Sequence, residues 1–492
     1  MDMSLQKRLG SGSRALLVGL GVLGCCVLAN LVLAQASSAA VPPKGLNCVA
    51  SDGKISGRGS TYQTLVVNKF AELYRDDFCG SVAEQYAKDP AGNTMVAYNY
   101  PEAEKNSATG SGAGVKAASC RTDAFSGTDK PYSENSLKEL NNVPGTTGGC
   151  ALAFAPPFTP TVKENKFPEA ADSTAPIMSF PIAGSSVTVP VNLTGGGICT
   201  KAVPTSLKFT GREISRLFGG EVAKWNDKEI TETDPILTTD ECNGAVTRVV
   251  RQDSSGTTGI FKNYLIGVDG ARAEAKCAPG KEWSAYTAKN EQWPGLQKPG
   301  EEGECSAIVH PAKSGNPEVL NTLAATPGGI GYVDLPQEAA AVAEGATLIT
   351  PSVQNAVKTA FVAPNTGKAA NCTYAGIVTP PGNGSAAEAV GLFNTEGKNW
   401  AENAEPNENN VTDKGSKYAI CGLTWDLVYS GLDNGEVANP IAGLTADQRR
   451  TEYALFTFVL SSAAQDVLST IDYAPLPAGW LQQLREGFQE NF

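Results

Sequence analysis

Of 492 residues only one is a histidine, His310, and it sits in Val309-His310-Pro311. A histidine-built metal centre therefore has no second imidazole, and a histidine-activated nucleophile has one remote candidate, so phosphatase-type chemistry is poorly supplied. His310 reads as a rim or surface residue. Cys-x-x-Cys pairs are also missing, which argues against zinc or redox chemistry. Positive charge is scarce: 39 Lys and Arg stand against 51 Asp and Glu, a formal charge of −12. Such a chain does not hold nucleic acid through its bulk field. No glycine-rich stretch closes on Gly-Lys-Ser/Thr, so there is no Walker loop. After the first 40 residues no hydrophobic run is long enough to cross a bilayer. The remaining make-up, 41% hydrophobic and 18% charged, is that of an ordinary globular protein with room for two or three domains.

Lys7, Arg8 and Arg14 precede an apolar run over 15–34, followed by Ala34-Gln35-Ala36 and Ser38-Ala39-Ala40. This is the layout of a secretory signal cleaved after Ala36 or Ala40. A retained membrane anchor ranks second, weakened by three glycines and Asn30. Lipidation at Val22-Leu23-Gly24-Cys25 ranks third, because the apolar run continues past Cys25. Cleavage would move the charge from −12 to about −14. Ten cysteines follow the signal, an even number at wide spacing, which favours disulfides in an oxidising compartment. Pairing by nearest neighbours gives 48 with 79, 120 with 150, 199 with 242, 277 with 305, and 372 with 421.

The stretch 248–265 organises the rest. A short β-branched strand ends at Arg251, a polar turn Asp253-Ser254-Ser255-Gly256-Thr257-Thr258 follows, and Ile260, Phe261, Tyr264 and Leu265 then mark one face of a helix. Small hydroxyl residues at a helix start leave the first backbone N–H groups unblocked, which makes an anion site. Arg251 can fork two hydrogen bonds onto a tetrahedral oxyanion there. Alone, the turn serves equally well as an ordinary N-cap with a surface arginine beside it. Asp253 would hold the guanidinium or simply form an Asx turn.

Similar loops recur along the chain. Gly57-Arg58-Gly59-Ser60-Thr61-Tyr62 precedes a helical pattern, and Gly110-Ser111-Gly112 opens another. A strand from Asp123 ends in a turn carrying Asp129. Residues 178–192 form a long extended stretch, Ser314-Gly315-Asn316 opens a helix, and 327–333 turns into a strand. One amphipathic helix is expected over 453–468, with a helical tail after Leu476-Pro477. Segments 270–305 and 380–416 read as polar insertions. Strands alternating with helices imply a mostly parallel sheet whose ligand lies at the strands' carboxyl ends.

In order, Gly-x-Gly-x-Thr-aromatic, Gly-Ser-x-x-Gly-Val-Lys, x-Asp-x-Pro, Arg-x-Asp-x-Ser-Gly-Thr, Gly-x-Ile-Gly-Tyr-Val and Tyr-x-x-Leu-Pro resemble the PstS family of phosphate-binding proteins from ABC phosphate uptake. The resemblance implies an α/β, two-lobed periplasmic-binding-protein fold, class II-like. Each lobe would be a mixed, mostly parallel sheet flanked by helices, with the ligand in the cleft between them. Residues 41–185 with 425–492 would form one lobe and 186–424 the other, hinged near 182–192 and 418–425. Carried over by motif, the phosphate ligands would be Thr61, Tyr62, Ser111, Asp129, Arg251, Ser255, Gly256 and Thr257, supported by Asp253. Tyr62 stands where the family usually has Phe, which changes little if its backbone N–H is the donor. The resemblance implies an extracytoplasmic monomer without cofactor, metal or catalytic residues, whose partners are inorganic phosphate and a membrane permease. Asp129 would accept the proton of hydrogen phosphate and repel sulfate. The alternatives are another oxyanion or a sensing role, and a secreted structural or adhesive protein.

Overall fold

The computed structural model describes residues 55–74, 96–98, 110–120, 123–129, 177–238, 241–269, 293, 314–367, 369–372, 391–392, 415–429, 432–433, 436–437 and 446–492. All lie in the compact unit Pro42–Phe492. The expected signal, His310, and the insertions over 270–305 (apart from Trp293) and 380–416 (apart from 391–392 and 415–416) fall outside the described residues.

β1 (Ile55–Gly59) leads through a 3-10 turn, Thr61–Gln63, into α1 (Thr64–Leu73). Next come β2 (Val96–Tyr98), α2 (Ser111–Cys120) and β3 (Phe125–Thr128). The long extended stretch is β4 (Ile177–Thr188), continued after a two-residue break by β5 (Val191–Asn192). β6 (Lys208–Phe209), α3 (Gly211–Gly219), β7 (Thr247–Val249) and α4 (Gly256–Asp269) follow. After them come α5 (Gly315–Ala324), β8 (Gly329–Gly331), β9 (Val333–Asp334), α6 (Leu335–Ala343) and β10 (Ser352–Gln354). Short strands β11 (Phe361–Val362), β12 (Asn365–Thr366), β13 (Ala369–Ala370) and β14 (Gly391–Leu392) precede β15 (Cys421–Tyr429). Helices α7 (Ala446–Val459), α8 (Ser462–Leu468) and α9 (Ala478–Asn491) end the chain.

The larger sheet runs β14-β4-β15-β3-β1-β2, with β9 paired to β4, and a second sheet runs β5-β8-β7. β4 passes from the first to the second through Thr188 and Val191, while β15 brings the chain back. These two strands pair antiparallel along their length, from Ile177 opposite Tyr429 to Ser186 opposite Cys421. Here the expectation of mostly parallel sheets is corrected. β1 is parallel to β2 and β3, and β7 to β8, but each described pairing of β4 and β15 is antiparallel. Two strands that carry the chain across and back must run in opposite senses, and the alternation of elements says nothing about that.

Aromatic rings fill one continuous core that spans both sheets. Phe456 meets Phe125 and Phe180 edge-on at 5.4 and 5.5 Å, and Phe488 covers Phe180. Farther along the same continuous core, Phe261 stacks on Tyr332 at 4.7 Å and Trp293 on the same ring at 5.5 Å. Ile260, Phe261, Tyr264 and Leu265 are all buried, as the helical spacing requires. The single helix expected over 453–468 is two. Ser461 caps α8 by accepting the Ala464 N–H at 3.2 Å, and this local bond competes with continuation of α7. Disulfides join Cys199 to Cys242 and Cys372 to Cys421, as expected. The pairs 48–79, 120–150 and 277–305 rest on residues outside the described set. Among the described residues no helix is long and apolar enough to cross a membrane.

Candidate functional site

Register brings the first loops together. β1 and β3 are parallel with Gly59 opposite Gly127, so Ser60-Thr61 and Thr128-Asp129 leave the sheet side by side. The Ser60 N–H bonds the Gly127 carbonyl at 2.9 Å, and the Gly110 N–H bonds the Gly59 carbonyl at 2.8 Å, which sets the start of α2 alongside. Asp129 is buried and collects hydroxyl donors: Ser60 Oγ at 2.5 Å and Ser111 Oγ at 3.2 Å on Oδ2, and Thr424 Oγ1 at 2.8 Å on Oδ1. Thr424 belongs to the crossing strand β15. Between Thr424 and Trp425 the register with β4 shifts by one, Thr424 standing opposite Ala183 and Trp425 opposite Pro181, so that Ile182 is the extra residue on β4.

The fourth loop arrives from the second sheet. The Gly112 N–H bonds the Ser254 carbonyl at 3.0 Å, and α4 begins against Asp129 and Ser111. Contact is close enough that a Cβ on Gly256 would sit 2.5 Å from Asp129 Cβ and 2.6 Å from Ser111 Oγ. Gly110 plays the matching part on the other side, at φ 109° and with Arg251 Nη2 3.3 Å from where its Cβ would be. Ser255 does cap α4, its Oγ accepting the Thr258 N–H at 3.2 Å. The Thr257 hydroxyl is fully buried and has no partner among the described residues. The first N–H groups of α4 have no acceptor within the helix, which leaves donors beside an unspent hydroxyl.

Arg251 is 1% exposed and anchored by three neighbouring side chains. Nε donates to Asp253 Oδ1 at 2.7 Å and Nη2 to Oδ2 at 2.5 Å, so one edge of the guanidinium is taken by a bidentate carboxylate. Nη1 donates to Asn316 Oδ1 at 2.6 Å and to Thr61 Oγ1 at 3.5 Å. Burial opposes its charge, but the adjoining Asp253 carboxylate more than offsets this and raises the pKa above the ordinary arginine value. The backbone N–H of Arg251 donates to the Tyr332 hydroxyl at 3.1 Å, and that hydroxyl is 2.7 Å from Thr258 Oγ1. Thr61 Oγ1 accepts from both Arg251 Nη1 and, at 3.1 Å, the Asn316 N–H. With its acceptor positions filled, its own proton is the part left to offer a ligand.

Of the eight expected ligands, Thr61, Ser111, Asp129, Arg251 and Gly256 thus come together, Ser255 and Thr257 flank Gly256 at the start of α4, and Tyr62 is the exception, with its backbone N–H as well as its side chain engaged elsewhere. Its hydroxyl donates to the Ser185 carbonyl beneath the crossing strands, its carbonyl accepts from Tyr473 Oη at 2.6 Å, and its N–H is on Ser60 Oγ at 3.0 Å. Several participants escaped the sequence reading: Ser60, Thr424, Asn316, Asp334 and Gln337. Ser314-Gly315-Asn316 carried the same small-polar helix-start signal as the other loops and could have been counted as a fifth. Nothing local marks Thr424 or Gln337. Asp129 is likewise not the sole carboxylate nearby. Asp334 is fully buried, accepts from Asn316 Nδ2 and from the Gln337 N–H at 3.3 Å, and burial pushes its pKa well above the usual carboxylate range.

A model of the PBP superfamily domain matches residues 50–417. The chain belongs to the PBP superfamily. Relatives of this PBP-superfamily chain include the phosphate-binding protein PstS of Xylella fastidiosa, 33% identical over 156 residues, which are 32% of this chain and 34% of that protein. PstS of Haemophilus influenzae is 23% identical over 216 residues, 44% of this chain and 45% of its own length. The chain thus aligns with a third to less than half of these PstS relatives. Alkaline phosphatase L of Pseudomonas aeruginosa is 24% identical over 319 residues, 64% of this chain and 67% of that one. Among solved structures, the ancestral soluble variant of the human phosphate binding protein superposes with TM-score 0.51 at 18% identity, covering 88% of this chain and 93% of the other. A high affinity periplasmic phosphate-binding protein bound with phosphate gives 0.50 at 18% over the same shares. The two-lobed α/β fold expected from the loop motifs is borne out, and so is the PstS-like resemblance.

Proposed function

We propose that the chain is an extracytoplasmic solute-binding protein that captures inorganic phosphate and delivers it, as a monomer, to an ABC permease. The lobes would be 41–185 with 425–492 and 186–424, closing about β4 and β15. The observation that carries the reading is the convergence of Thr61, Ser111, Asp129, Arg251 and Gly256 from four separated loops into one buried region. Because Asp253 already neutralises Arg251, the anion would be held mainly by oriented dipoles: the starts of α2 and α4, the Thr61, Ser255 and Thr257 hydroxyls, and the remaining guanidinium edge. Such donors act over a few ångströms, whereas the surface charge of an acidic chain is screened beyond roughly 8 Å. Asp129 supplies the acceptor for the one proton of hydrogen phosphate. Sulfate has none, and its oxygen would face a desolvated carboxylate.

Arg251→Ala tests this reading. It removes the guanidinium and strands Asp253, and it should weaken phosphate binding by about 2–5 kcal/mol, roughly 30-fold to several thousandfold, in a calorimetric titration of phosphate-stripped protein. Wild-type affinity in that variant overturns the assignment. A phosphatase is the second reading, favoured by the alignment with alkaline phosphatase L. Binding without turnover is supported by the engagement of the neighbouring side chains with one another, which leaves no activated nucleophile among the described residues. Sustained release of p-nitrophenol from p-nitrophenyl phosphate, lost in Arg251→Ala, would favour the enzyme.

A further inference from the structure

Thr61 belongs to the loop after β1, in the first sheet. Besides Arg251 Nη1, which donates to Thr61 Oγ1 at 3.5 Å, two groups from the stretch between the crossing strands reach it. The Asn316 N–H, in the first turn of α5, donates to Thr61 Oγ1 at 3.1 Å, and Gln337 Nε2, in the first turn of α6, donates to the Thr61 carbonyl. A carbonyl only accepts and a guanidinium only donates, so the orientations of both amides are fixed by their partners. Gln337 must turn its nitrogen to Thr61. Asn316 must turn its oxygen to Arg251 and its nitrogen to Asp334. Gln337 is 7% exposed, and its Oε1 has no partner among the described residues. A glutamine serving only the local fold would satisfy both ends of its amide. This one strands its acceptor in order to place a donor on a loop of the other sheet. Asp334 steadies both arms by accepting the Gln337 N–H and Asn316 Nδ2.

We propose that Gln337, together with the Asn316 N–H, is a closure latch that grips Thr61 across the cleft and sets how long a captured anion stays. The proposal rests on the phosphate reading above. In the open protein the grip is absent, so loss of the latch changes only the closed, loaded state. Release must break it, whereas encounter with the open cleft precedes it.

Gln337→Met keeps the volume and removes the donor, and Gln337→Glu keeps the shape and replaces the donor with an acceptor. In stopped-flow measurements with inorganic phosphate, both should speed release, Gln337→Met about 3- to 10-fold, with association within about twofold of wild type. Melting of the phosphate-free protein should be unchanged, while the stabilisation added by phosphate shrinks. Wild-type release rates in both variants overturn the latch. Equal loss of melting temperature with and without phosphate also overturns it, since that is the mark of a merely structural residue. A wild-type protein that takes up no phosphate overturns the functional reading and the latch with it, whereas normal wild-type uptake with unaltered variant release overturns the latch alone.

Discussion

Arg248 and Arg251 stand three residues apart, and only one can serve an anion. Arg248 donates through Nη2 to the Val222 carbonyl at 3.0 Å and through Nε to the Leu217 carbonyl, tying down the end of α3, and burial lowers its pKa to about 10. Arg251, locked by Asp253, keeps an edge toward the four loops. The sequence pattern picked Arg251 because it adjoins the hydroxyl turn. Gly256 offers a sharper check. Alanine is a better helix former than glycine, so Gly256→Ala should not weaken α4 itself. Its methyl group would nevertheless meet Asp129 and Ser111, and phosphate affinity should fall about 100-fold or more, with the phosphate-free protein still folded by circular dichroism. Glu338 tests burial in another way. It lies fully buried with Thr350 Oγ1 on Oε1 at 2.5 Å, and burial raises its pKa from 4.5 to about 7. The folded protein therefore holds a proton that the unfolded chain has lost, and stability falls as pH rises from 4.5 to 7. Glu338→Gln should remove up to one proton from that dependence and raise the melting temperature at pH above the window. An identical pH profile in the variant would contradict it.

Helices were the most legible elements, because their starts carry their own chemistry. The capping box at α3 is one case: Glu213 N donates to Thr210 Oγ1 at 3.2 Å, and the Thr210 N–H to Glu213 Oε2 at 2.6 Å. Thr210→Ala should cost about 1 kcal/mol in urea unfolding and leave phosphate affinity unchanged, since α3 touches the site only through the core. The loop residues of the site were legible for the same reason, as Gly, Ser and Thr at helix starts announce unblocked N–H groups. Strand direction was not, because the antiparallel run of β15 against β4 joins segments far apart in sequence. Thr424 was hidden for a related reason: it reaches Asp129 because β15 pairs with β3, a contact between segments 295 residues apart. Gln337 looks like any other polar residue in the first turn of a helix until the loop after β1 is set against it.

At the scale of the molecule, the proposed function asks a chain of net charge −12 to gather an anion into a region already holding Asp129, Asp253 and Asp334. Net attraction cannot be the source of affinity there. On the proposed reading, fixed dipoles on parallel-strand and helix ends would do the holding, and closure about β4 and β15 would bring Thr61 and Arg251 to the same ligand. The order of the loops followed from the motif series, whereas the contacts between those loops needed three dimensions. The most direct measurement is calorimetric competition on purified, phosphate-stripped protein, titrated with phosphate and with sulfate near neutral pH. The expected result is a single phosphate site, with sulfate weaker by on the order of 10⁴-fold because Asp129 has no proton to accept from it. Sulfate binding as tightly as phosphate, or no phosphate binding at all, would contradict the account.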